Sequence, residues 1–151
     1  MAITAKNRAQ LTLRATTKLS QKNALDLVRA AAGEVRGGGA SLLTSGVQNL
    51  GAQIHIEVAS ANRLGMSITS GKRVVELCTF SAEAVGDGEG TTTLRVGGLE
   101  TYRTSQPTYM FIPVGPKSIA GYDPYKRFLN HLAAALARAD SQATVSVDTP
   151  N

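Results

Sequence analysis

At 151 residues the chain suits one domain with a real core, and a hydrophobic fraction of 42% excludes the disordered class. No run approaches the roughly 18 uninterrupted apolar residues of a membrane span, and the lone Cys78 excludes an intrachain disulfide. The 16 basic and 11 acidic residues leave a net charge of +5, but the bases are scattered from Lys6 to Arg138. Scattered charge of this kind describes a solvated surface better than a phosphate-tracking one.

The N-terminus, Met1 to Arg8, lacks the apolar segment of a secretory leader, so a soluble, cytoplasmic protein is expected. From residue 9 to 19 the pattern alternates, with Leu11, Leu13 and Ala15 on one side and Thr12, Arg14 and Thr16 on the other, which predicts a half-buried strand. Ser20 is placed to cap a helix over 21–36, whose apolar stripe is Ala24, Leu25, Val28, Ala31, Ala32 and Val35. Gly37-Gly38-Gly39 stops it, and 40–50 reads as either a short strand or a loop.

From Gln53 the period becomes two, with Ile54, Ile56 and Val58 facing inward and His55 and Glu57 outward. A turn is expected at Asn62-Arg63-Leu64-Gly65, strand character at Met66 to Thr69, a second turn at Ser70-Gly71-Lys72 and a long strand over 73–84. Gly86-Asp87-Gly88-Glu89-Gly90 predicts a hairpin loop. A strand returns over 91–96, Gly97-Gly98 marks a bend or bulge, and the strand resumes over 99–104. Gln106-Pro107 interrupts before a last strand at 108–114.

Asp123-Pro124 then opens a helix to about Ala139, with Asp123 as its cap and Tyr125, Phe128, Leu129, Leu132 and Leu136 on one buried face. The tail, 141–151, is expected to fray or, through Thr144-Val145-Ser146-Val147, to add an edge strand. Consecutive strands without helical crossovers predict a single α+β domain over 1–140 with a flexible tail, its antiparallel sheet holding one early helix and one long C-terminal helix.

The strand-to-helix step from Leu11 to Val35 and the ending Phe111-Ile112-Pro113-Val114 to Tyr125-Lys126-Arg127-Phe128-Leu129 resemble the START and polyketide-cyclase-like helix-grip superfamily. The resemblance is one of architecture, and the triple glycine stands where that superfamily commonly has a second short helix. It implies a curled sheet gripping the last helix around an apolar cavity, and it carries over no catalytic residues.

His55, His131 and Cys78 lack metal-ligand spacing, no nucleophile elbow is present, and the glycine triplet follows a helix instead of preceding one, so neither metal, cofactor nor catalysis is expected. Glu76 is open to two readings. In one register it joins Val74, Cys78 and Phe80 in the core as a buried carboxylate; in the other, favoured because unpaired glutamates are seldom buried, Val75 and Leu77 go in and Glu76 stays in water. The expected function is non-enzymatic binding of an apolar or lipid-like molecule between sheet and last helix, with Glu76, Tyr102, Met110, Tyr122 and Phe128 as the ligand-facing residues. Alternatives are an assembly subunit of a homo-oligomer or viral particle, and a basic protein associating weakly with nucleic acid.

Overall fold

The computed structural model describes residues 10–35, 52–70, 75–102, 104–105, 108–113, 118–119 and 121–148. The readings of the glycine triplet, of 40–50, of the turn residues Gly71-Lys72 and of Gln106-Pro107 lie outside the described residues. Strand β1 (Thr12–Thr17) leads into helix α1 (Gln21–Glu34). A meander follows through β2 (Gln53–Ala59), β3 (Arg63–Ser70), β4 (Val75–Gly86) and β5 (Thr92–Tyr102). Four two-residue strands come next: β6 (Thr104–Ser105), β7 (Thr108–Tyr109), β8 (Ile112–Pro113) and β9 (Ser118–Ile119). Helix α2 (Tyr122–Ala139) and strand β10 (Thr144–Asp148) end the chain's described part.

The fold is α+β. Six strands form one antiparallel sheet in the order β10-β1-β5-β4-β3-β2, and α1 and α2 pack on it and on each other. The first strand thus lies between the last strand of the meander and the tail strand, which places Thr144–Asp148 at an edge. Both helices present the expected stripes. Ala24, Leu25, Val28, Ala31 and Ala32 of α1 are buried, as are Tyr125, Phe128, Leu129, Leu132 and Leu136 of α2. They meet Leu13, Ala15, Leu64, Met66, Ile68, Phe80, Ala82, Leu94 and Val96 of the sheet in one cluster. Removing that apolar area from water is the main stabilising contribution to the fold.

Caps and loops follow from local chemistry. The Ser20 hydroxyl accepts the Asn23 N–H at 3.1 Å, as an N-cap serine should. In the loop after β4, Asp87 Oδ1 accepts from Glu89 N at 2.7 Å and Thr91 N at 3.1 Å, closing the hairpin. The cap of α2 differs from expectation. It is Gly121, not Asp123, and it makes no side-chain capping bond; the helix starts two residues earlier, at Tyr122. Asp123 then contributes a negative charge in the first turn, where the helix dipole is positive, and Pro124 lacks an N–H that would have had no helical partner.

Three other expectations change. The turn before β3 lies at residues 60–62, held by Ser60 N donating to Arg63 O at 2.8 Å, so Arg63 and Leu64 are already strand. Val58 does not face inward. The β2–β3 register shifts between Ile56 and Val58, which sets Val58 opposite Gly65 and leaves it 66% exposed. In place of the last strand expected at 108–114, the described residues 108–113 form a tight hairpin, with Tyr109 paired to Ile112 and Met110 and Phe111 forming the turn.

Candidate functional site

The bulges decide what each face of the sheet can do. At the start of β4 the register shifts between the pairs Ile68–Cys78 and Thr69–Glu76, so Leu77 is the extra residue. Both Leu77 and Cys78 therefore turn into the core and Glu76 is exposed; neither expected register holds throughout, since Cys78 and Phe80 are buried together with Leu77. Burial pushes the Cys78 thiol up to about 12, and the nearby Glu76 carboxylate adds to the rise.

On the helix-facing side three aromatic side chains pack together. Phe80, Tyr125 and Phe128 are fully buried, with the Phe80 ring 4.9 Å from that of Tyr125 and 5.3 Å from that of Phe128. The Tyr125 hydroxyl donates to the Leu11 carbonyl at 2.6 Å. Gly98, at φ 87°, lies in the bulge anticipated at Gly97-Gly98.

On the opposite side, positions alternating with the core residues are polar. Beyond the β2 bulge a cleft of about 480 Å³ opens there. Its lining includes Gly65, Met66 and Ser67 of β3, Thr79 and Phe80 of β4, and Glu57 and Val58 of β2, with Arg63, Glu76 and Glu100 around them. Side chains of β2 lean over β3 and satisfy its polar groups. The Ser67 hydroxyl, 1% exposed, donates to Glu57 Oε1 at 2.8 Å, and His55 Nε2 meets Thr69 Oγ1 at 2.9 Å. A Cβ on Gly65 would meet the Val58 side chain at 3.4 Å, so a glycine at this position gives Val58 room to lie across the strand.

Charge in the cleft runs against that of the chain. Three carboxylates, Glu57, Glu76 and Glu100, line it with one guanidinium, Arg63, which lies 3.7 Å from Glu100. An apolar body carrying a cationic or hydrogen-bond-donating end suits such a lining.

Of the residues expected to face a ligand, the cleft collects Glu76 alone. Tyr102 is paired with Cys78 at the end of β5 and is 37% exposed. Met110 sits on the hairpin turn, Tyr122 is half-buried in the first turn of α2, and Phe128 belongs to the core. Sequence reading missed Glu57, Val58, Arg63 and Glu100, because their convergence depends on where the bulges fall. The one usable signal was Gly65, a glycine amid β-branched and apolar strand residues.

Among the described residues no cluster of histidine, cysteine or carboxylate side chains could hold a metal ion, and no helix is long and apolar enough to cross a membrane. His131 instead approaches Glu34 Oε2 at 3.5 Å and links α2 to the end of α1. No family model matches this chain, and neither does a curated protein or a solved structure.

Proposed function

We propose that this protein is a small-molecule binding domain whose ligand is apolar with a cationic end. The cleft on the outer face of the sheet carries this reading. Its volume of about 480 Å³ lies within the usual range for ligand sites, and its lining joins three carboxylates to the exposed apolar side chain of Val58. A helix-grip-like architecture accords with the element order: an early helix between the first strand and the meander, and a long helix after it. The four described register shifts within β2 to β5 add bends of the kind that give a sheet a concave side. We place the ligand on the outer face, where the cleft lies, and not on the helix side, where Phe80, Tyr125 and Phe128 are buried against one another.

The test compares dodecylammonium with dodecanoate below their micellar concentrations, following backbone amide shifts by NMR. Dodecylammonium is expected to bind saturably, with shifts at Val58, Gly65, Ser67 and Thr79. Dodecanoate should bind several-fold more weakly, and Glu76→Gln with Glu100→Gln should narrow the gap. Equal affinity for the two amphiphiles, or shifts confined to α2, would refute it.

A second reading, assembly into a homo-oligomer, is favoured by one observation. Among the described residues β2 and β10 are the outermost strands of the sheet, the positions at which a further strand adds. A mass that rises with concentration would support it.

A further inference from the structure

The hairpin Thr108–Pro113 breaks a local rule. A two-residue loop in which both residues have positive φ is the turn that favours Asn-Gly, because L side chains crowd the backbone there. This chain places Met110 at φ 49° and Phe111 at φ 67° instead. The substitution gains nothing in packing, since Met110 is 76% and Phe111 100% exposed. Their neighbours Tyr109 and Ile112 are 68% and 64% exposed, so four consecutive large apolar side chains project from the tip. A strained turn whose side chains stay largely exposed marks a segment shaped for something outside the molecule.

We infer that this tip is a membrane-surface anchor that inserts into the interfacial layer of an anionic lipid bilayer. The shape favours lipid over a protein partner. The tip is convex, a tyrosine and an isoleucine flank a methionine and a phenylalanine at its end, and such a wedge needs no complementary groove. Tyrosine at the foot of an inserted segment suits the headgroup level. The chain's net charge of +5 supplies attraction to an anionic surface, and in sequence the hairpin is flanked by Arg103 and Lys117. A single short apolar segment gives weak, reversible binding, so charge and insertion must act together.

The test uses co-sedimentation with vesicles of phosphatidylcholine alone and with about 30 mol% phosphatidylserine. Wild type should sediment with the anionic vesicles and little with the neutral ones. The double variant Met110→Asn, Phe111→Gly installs the favoured turn and removes the apolar tip, so it should keep or raise the denaturation midpoint while vesicle affinity falls about tenfold or more. The chain has no tryptophan, so Phe111→Trp provides a clean reporter whose emission should shift to the blue on anionic vesicles. Equal sedimentation of wild type and double variant would overturn the inference. So would an unshifted Phe111→Trp spectrum, or a dimer that forms without lipid and is lost in the double variant, which would assign the tip to a protein contact.

Discussion

A methyl group on Gly121 would lie 2.8 Å from the Cys78 sulfur and 3.2 Å from Leu77 Cβ. The cap of α2 is pressed against the bulged start of β4, and this contact fixes where the last helix enters the core. Gly121 also has φ 86°, a conformation that L side chains resist.

Gly121→Ala therefore meets both backbone strain and a clash with buried atoms, and is expected to destabilise the fold by about 2–4 kcal/mol. Gly33 provides the contrast. It lies in α1 with nothing within 4 Å of an added Cβ, so Gly33→Ala should stabilise by about 0.5–1 kcal/mol. Urea midpoints at unchanged slope decide; a neutral Gly121→Ala would show that the close approach is not a constraint.

Periodicity made the core legible. Each helix stripe read from spacing is buried, because a helix face depends only on a local repeat of 3.6 residues. The outer cleft was not legible, because one extra residue at Leu77 or near Val58 reverses every side chain beyond it, and the extra residue is set by pairing with another strand. Glu76 shows this directly: the bulge at Leu77 leaves it exposed while Cys78 and Phe80 still face the core, a combination that neither unbroken register allows. The hairpin at Met110 and Phe111 escaped notice for the opposite reason: its residues are strand formers occupying a turn that they disfavour.

The layer between α2 and the sheet should be the most sensitive part of the core. Phe128→Ala is expected to cost about 3–5 kcal/mol, since the ring is fully buried against Phe80. Tyr125→Phe should cost about 1–3 kcal/mol by leaving the Leu11 carbonyl without its partner. Arg127, beside them in sequence, is half-buried, and its Nη2 has no hydrogen-bond partner among the described residues. Arg127→Met should thus stay within about 1 kcal/mol of wild type and not fall below it. Denaturant titration of the three variants tests the order, and a large loss in Arg127→Met would mean that its guanidinium is satisfied in solution.

Cys78 offers a probe of the same region. Its thiol is held up to about 12, by burial first and by the Glu76 charge second. An ordinary thiol, near about 8.5, is partly ionised at mildly alkaline pH and reacts readily. Native protein at about pH 8 should therefore resist a thiol-specific reagent, whereas protein in denaturant should label once per chain at its one cysteine. Rapid native labelling would mean that the cap of α2 opens far more easily than its packing against Gly121 implies.

Asp140 governs the acid response of the other end of α2. Its carboxylate accepts from Lys18 N at 2.9 Å, from the Thr17 hydroxyl at 2.8 Å and from Gln142 N at 3.0 Å, fastening the end of β1 to the turn before β10. These bonds, the Lys18 amide foremost, hold its pKa below the usual aspartate value of 3.8. At low pH the unfolded chain binds this proton more readily than the folded one. The clasp's contribution is then complete above about pH 5 and disappears as pH falls through the lowered folded value. Asp140→Asn cannot ionise, so the gap in urea midpoint between wild type and variant should be constant from about pH 7 to 5 and shrink steadily toward about pH 2. A gap that stays the same across that range would show that the bonds to Lys18 and Thr17 do not depend on the charge, and that other carboxylates set the acid limit of the fold.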